Sequence, residues 1–344
     1  MKAVGLYKYL PIDDPESLVD VEIPEPGKPA GHDLLVRVKA VSVNPVDTKI
    51  RSPKDKVESE PKILGWDAAG VVEATGDEVT LFNQGDAVYY AGSIIRPGSN
   101  AEYQLVDERI AGQKPESLSF EEAAALPLTT ITAWEAMFEQ MHISVDDKTR
   151  NAGESILIIG AAGGVGSIAI QLAKKVAGLT VIATASRDES RNWCRQLGAD
   201  YVINHRNNFA EELRKIGHDA VDYIFCLHTT AIHFANTAGL LKPFGKFCTI
   251  VSLEEGDTID LNRLKNNSGG FLWEFMFTKS TAHTPDMISQ HNLLNATADL
   301  VDQGVIRTTM MENYGELNAE NLRKAHRQIE TGSTIGKIVL SGIK

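Results

Sequence analysis

The sequence predicts an α/β chain in two parts: a β-rich domain, then a doubly wound parallel sheet with helices on both faces. Short strands and turns fill the chain from Met1 to about Glu122. From about Ser155, strand and helix patterns alternate. The 344 residues also suffice for two domains of roughly 100–200 residues, each with its own core.

The elements follow in order. "HDLLVRVKAVSVN" alternates apolar and polar residues from Leu35 to Val43, as a half-buried strand does. "GVVEATGDEVTLFNQGDAVYYAG" reads as two β segments, broken by turn chemistry at Gly76-Asp77 and Gln84-Gly85-Asp86. "AEYQLVDE" is another short strand. Ser119 is positioned to cap a helix with Glu121 and Glu122 in its first turn, where carboxylates suit the helix dipole. Pro127 interrupts that pattern, so two helices or a kink are expected. "SILIIG" is a continuous apolar strand of the kind buried on both faces. "TVIATA", "YVINH", "VDYIFCL" and "GKFCTIV" are further strands, with helices between them. After about Asp257 the alternation is expected to stop, and the tail "GKIVLSGIK" is one more strand returning to the first domain.

Composition narrows the function classes. The net charge of −12 opposes phosphate backbones and anionic membranes, so neither nucleic acid nor a membrane is an expected partner. Cys194, Cys226 and Cys248 form no C-x-x-C pair, which fits a reducing compartment without disulfides. There is no signal-peptide pattern and no apolar run of about 18 residues, so a cytoplasmic protein is expected.

The strongest chemical signal is "SILIIGAAGGVGSIAIQLAKK". A buried strand ends at Gly160, and Ala162, Gly163, Gly164, Val165 and Gly166 lead into a helix. Glycine at 163 lets backbone amides approach a pyrophosphate, and glycine at 166 lets the helix pack closely on the strand. Ala161 stands where the first glycine of G-x-G-x-x-G belongs, but the strand–turn–helix setting is the one a dinucleotide site requires. Where an NAD enzyme carries Asp or Glu, this chain has Ala185-Ser186-Arg187, with Arg191 one turn further on. Ser186 can donate to a 2′-phosphate and Arg187 can pair with it, so NADPH is the expected cofactor. Asp188 taking the acidic role is the alternative.

Together, "GDEVTLFNQGDAVY", "LPLTTITAWEAM" and "GAAGGVG" resemble the medium-chain dehydrogenase/reductases. "VSVNPVDTKIR", "GAAGGVG" and "FLWEFMFTKS" resemble the quinone oxidoreductase branch, and more narrowly the bacterial zinc-type alcohol dehydrogenase-like proteins. The resemblance implies a GroES-like catalytic domain (1–125), an NADP-binding Rossmann domain (126–270) and a return to the catalytic domain (271–344). It also suggests a homodimer.

Zinc-dependent relatives place Cys where this chain has Asn44, and His-Glu where it has Trp66-Asp67. An amide is a poor zinc ligand, and an indole N–H has no lone pair to give. No metal is therefore expected, and Trp66-Asp67 reads as a pocket wall or a turn. The resemblance places Asn44 and Asp47 at the nicotinamide and substrate site, as a hydrogen-bond donor and a proton relay, with an Asn-Pro turn as the plain alternative. Thr129 matches a position near the carboxamide, or bonds its own helix backbone. Leu227, Ile250 and Ser252 follow sheet strands and are expected to offer backbone contacts to the nicotinamide. His205 falls where relatives stack a Tyr near the adenosine phosphate. In "FLWEFMF", Trp273 is the pocket candidate and the remainder packing. His228, His233, His283 and His291 lack ligand spacing and read as ordinary. The expected activity is zinc-independent, NADPH-dependent reduction of a quinone or α,β-unsaturated carbonyl, a small-molecule substrate. A zinc alcohol dehydrogenase and a non-catalytic NADPH-binding protein are the alternatives.

Overall fold

The computed structural model describes residues 1–145 and 147–343. The chain divides into two compact units: Met1–Ile131 with the chain from Phe277 onward, and Thr132–Met276.

The first unit is β-rich. A seven-stranded sheet runs in the order Met310–Glu316, Lys337–Ser341, Asp33–Ser42, Ala68–Thr75, Ala87–Tyr90 and Ala111–Gln113, with Tyr103–Asp107 also paired to Asp33–Ser42. A smaller sheet joins Val19–Glu22, Lys2–Tyr9 and Lys54–Ile63. The alternation in Asp33–Ser42 buries Leu34, Val36, Val38 and Ala40 on one face. The tail strand does return here: Lys337–Ser341 lies antiparallel to Asp33–Ser42, with Val339 opposite Ser42.

The second unit is a six-stranded parallel sheet in the order Tyr201–Ile203, Thr180–Thr184, Ser155–Ile159, Val221–Cys226, Leu241–Thr249, Gly270–Trp273. That is the strand order of the doubly wound dinucleotide-binding fold. All five residues of Ser155–Ile159 are buried, as a central strand covered on both faces must be. Leu157 and Ile159 of that strand join Ile182, Ile224 and Phe247 in one core.

Three features differ from the sequence expectation. Gly270–Trp273 is a sixth parallel strand beside Leu241–Thr249, so the alternation does not stop at Asp257. The segment is too short for its period to register. Ser119 caps the helix Phe120–Ala124 and Pro127 starts a second one, Pro127–Trp134, as expected. The boundary between units, however, falls inside that second helix, at 131/132 rather than 125/126. The Leu128 N–H donates to Asp67, which ties the helix's first turn to the first unit. The other boundary lies at 276/277 rather than 270/271, because the sixth strand belongs to the parallel sheet.

The first unit also buries His326 on the helix Ala319–Glu330, with no hydrogen-bond partner on either ring nitrogen. Burial and the nearby Arg51 charge push it down to about 3. The unfolded chain therefore takes up this proton first, near 6.5, and stability falls as pH drops from there towards 3. Urea melts should show wild type losing up to about 2 kcal/mol from this group between pH 6.5 and pH 5. His326→Leu should flatten that limb, and an unchanged acid slope would refute the assignment.

Candidate functional site

The strand Asp33–Ser42 ends in the helix Pro45–Arg51, and Asn44 stands at its N-cap. Asp47, in the first helical turn, reaches back to accept the Asn44 N–H at 2.6 Å. This is a helix start rather than the Asn-Pro turn offered as the plain alternative. The Asn44 side chain is fully used. Its Nδ2 donates to the Asp67 carboxylate at 3.0 Å and to the Trp66 carbonyl at 3.3 Å. Its Oδ1 accepts from Lys337 Nζ at 2.5 Å.

Lys337 is the centre of the group. Its ammonium also donates to Asp67 Oδ2 at 2.9 Å and to the Val43 carbonyl at 3.1 Å, so its three donors meet three oxygens. The second Asp67 oxygen accepts the Leu128 N–H at 2.8 Å. Asn44, Asp47, Asp67 and Lys337 are all within 3% of complete burial. A charge can sit there only with a partner, and each charge is the other's partner. Burial raises the Asp67 carboxyl, while the Lys337 charge and the Leu128 N–H pull it back. Asp47 is pushed up to about 7, chiefly by burial and further by the Asp67 charge, against the pull of Asn44, Lys337 and Gly65. Its Oδ1 has no hydrogen-bond partner.

Asn44, expected to face substrate, instead belongs to this buried network, with its amide nitrogen and oxygen both bonded within it. Trp66 is packing: its indole N–H donates to the Ser93 carbonyl at 3.1 Å, and its ring meets Phe277 edge-on. Lys337 was missed in the sequence. Its one signal is a lone cation at the head of the apolar strand "KIVL", a position that demands a buried partner. The donors do not fit zinc. An ammonium already sits among Asn44, Asp67 and the Val43 carbonyl and takes up the oxygens that a cation there would need. Among the described residues no three His, Cys, Asp or Glu side chains gather to hold a metal.

The second unit contains the glycine turn. Gly160 adopts a left-handed φ of 81°, which turns the chain out of the strand. Gly163 caps the helix Gly164–Gln171, and the nearest atom to a Cβ placed on Gly163 is the Gly160 carbonyl oxygen, 3.6 Å away. Ala162, Gly163, Gly164 and Val165 are partly open to solvent. Gly166 packs on the Ala161 backbone so closely that a Cβ there would lie 2.4–2.6 Å from it. An open, side-chain-free helix N-terminus of this kind fits a pyrophosphate.

After the neighbouring strand, Ser186 is half-buried, and Arg187 is exposed at the N-cap of the helix Asp188–Leu197. Arg191, expected at the phosphate, donates instead to the Ala185 and Val202 carbonyls and ties two strand ends together. The Leu227 N–H donates to the Ile159 carbonyl beside the glycine turn. Ile250 and Ser252 follow the strand Leu241–Thr249, with Ser252 exposed. In the first unit, the Thr129 hydroxyl donates to the Leu126 carbonyl, the helix-backbone alternative. Trp273 belongs to the second unit, at the end of its edge strand, 46% exposed and edge-on to Phe271.

Residues 30–116 match the alcohol dehydrogenase GroES-like domain family, and residues 197–340 match the zinc-binding dehydrogenase family. A zinc-type alcohol dehydrogenase-like protein of Staphylococcus aureus is 45% identical over 99% of this chain and 100% of its own length. A crystal structure from Rhizobium etli, bearing the name of a zinc-dependent alcohol dehydrogenase, is 48% identical with a TM-score of 0.93. It covers 100% of this chain and 98% of that one. The Escherichia coli quinone oxidoreductase complexed with NADPH is 26% identical with a TM-score of 0.80, covering 99% of this chain and 100% of that one. With two matched family domains and relatives aligned along nearly its whole length, the chain belongs to the medium-chain dehydrogenase/reductase superfamily of oxidoreductases.

Proposed function

We propose that this oxidoreductase uses NADPH to reduce quinones or α,β-unsaturated carbonyls by hydride transfer, without zinc. The observation that carries the reading is the Lys337 ammonium, held by Asn44 and Asp67 where zinc-dependent relatives bring their ligands together. Without a Lewis acid, reduction of a simple carbonyl or oxidation of an alcohol lacks the means to stabilise an alcoholate. A conjugated acceptor needs less, because its terminal carbon is already electrophilic. The names of the S. aureus and R. etli relatives favour a zinc alcohol dehydrogenase. The chemistry of Asn44, Trp66 and Lys337 argues against that alternative.

NADPH, when bound, supplies the hydride. The amides of the Gly160–Gly166 turn hold its pyrophosphate, and Ser186 and Arg187 receive its 2′-phosphate. Asp47 holds a proton near neutral pH, because its raised carboxyl is half-protonated at about 7. Asn44, Asp67 and Lys337 keep the Val43–Asp47 backbone fixed around that carboxyl.

Two outcomes are expected. After dialysis against a chelator, the protein should still oxidise NADPH with phenanthrenequinone, and elemental analysis should find less than stoichiometric zinc. NADPH should be preferred over NADH by about tenfold or more in kcat/KM, and Arg187→Asp should remove that preference. Stoichiometric zinc whose removal abolishes turnover, or equal use of both cofactors, would sink the reading. Second, Lys337→Met should cost about 3–5 kcal/mol in urea melts, because it strands the Asp67 charge. Adding Asp67→Leu should recover much of that loss, and additive costs in the double variant would show that the pair is not coupled.

A further inference from the structure

We propose that His205, His228 and His233 form an imidazole cluster that binds the phosphate-bearing adenosine end of the cofactor. Preference for NADP(H) over NAD(H) then strengthens as pH falls from about 8 to 6. The inference rests on the NADPH reading above and joins His228 and His233 to His205 as specificity-determining residues.

The three histidines come from separate segments at one edge of the second unit. His205 follows the strand Tyr201–Ile203 by two residues, and His228 follows the strand Val221–Cys226 by two. His233 lies in the first turn of the helix Thr230–Thr237. The carboxyl ends of parallel strands are where this fold receives its ligand. His205 leaves the sheet beside the 2′-phosphate position, because Tyr201–Ile203 pairs with Thr180–Thr184 and the Ala185 N–H donates to the Ile203 carbonyl at 3.0 Å. Ser186 and Arg187 come next on that neighbouring strand end. His228 abuts the glycine turn, its Cβ 3.6 Å from where a Cβ on Gly160 would lie.

Two of the rings meet edge-on, and His205 stands near enough for its charge to bear on His233 and for that of His228 to bear on it. His228 and His233 lie 6.0 Å apart, and Phe209 closes the far side of His233 at 5.9 Å. Two ring nitrogens are orphaned: Nδ1 of half-buried His205 and Nδ1 of His233, which is only 9% exposed. Buried imidazole nitrogens are rarely left without a partner, so both are suited to a ligand. The charges that bear on these two rings are positive. Burial, Arg206 and His228 hold His205 below its usual range, and burial, His228 and His205 hold His233 at about 4. The acid nearest that loop in the chain, Glu212 on the helix Phe209–Lys215, is engaged by the Asn204 N–H, Asn207 and Lys215. Asp188 and Glu189 open the helix behind Arg187. On the Val221–Cys226 side, the Thr229 hydroxyl bonds His228 Nδ1.

An imidazole group short of negative charge fits an anion. A phosphate dianion raises the pKa of imidazoles beside it, so binding takes up protons and affinity rises as pH falls. The trend ends near pH 6, where the phosphate itself starts to protonate.

The test is calorimetric titration of the full chain with NADP⁺ and NAD⁺ at pH 6.5 and 8.5, in two buffers of different ionisation enthalpy. NADP⁺ should bind about five- to tenfold tighter at the lower pH with net proton uptake, while NAD⁺ stays flat. His205→Asn with His228→Asn should flatten the NADP⁺ slope. Histidine ring-proton spectra of the wild type give a measurement that does not depend on a variant folding. Adding 2′,5′-ADP should raise the imidazole midpoints, and 5′-AMP should leave them unchanged. NADP⁺ preferred equally at both pH values, or midpoints unmoved by 2′,5′-ADP, overturns the cluster alone. Equal affinity for the two cofactors at every pH overturns the NADPH reading beneath it.

Discussion

The β-rich unit depends on one buried ion pair. Lys337 comes from the tail strand, Asp67 from the turn before the strand Ala68–Thr75, and Asn44 from the start of a helix. Asp67 also takes the first-turn amide of the helix that begins at Pro127. Four segments remote in sequence therefore meet on a single ammonium and a single carboxylate. Removing either charge would leave the other without water or a counter-charge, which is far worse than never having buried them. The pair thus specifies register as well as stability, since a one-residue slip of the tail strand would turn Lys337 to the opposite face.

Asn44 offers an amide oxygen and Asp67 a carboxylate, and both are satisfied by an amine carried on the chain itself. With its three donors engaged, that amine is a strut rather than a reagent.

Features with local causes were legible in the sequence. The glycine turn between a five-residue apolar strand and a helix could be read directly, because both glycine roles are steric. The Ser119 cap and the break at Pro127 were equally plain. The tail strand was visible as a strand, and its return to the first unit came with the family resemblance. Its key residue was not visible, because Lys337 acquires meaning only from oxygens 270 or more positions away. Arg191 was misread for a related reason. A guanidinium one turn past a phosphate position looks like a ligand until two strand-end carbonyls claim it. Trp273 was placed in a pocket on composition alone, and sheet pairing puts it on an edge.

The division of the chain also has a temporal side. Residues 132–276 are contiguous, so every strand of the parallel sheet has been synthesised before the return segment begins. The β-rich unit must wait, because its sheet is incomplete until Val339 can pair with Ser42 across nearly 300 residues. Such long loops close slowly. During synthesis, the residues of the parallel sheet are therefore complete first, and Asp33–Ser42 lacks one of its sheet neighbours until the tail arrives.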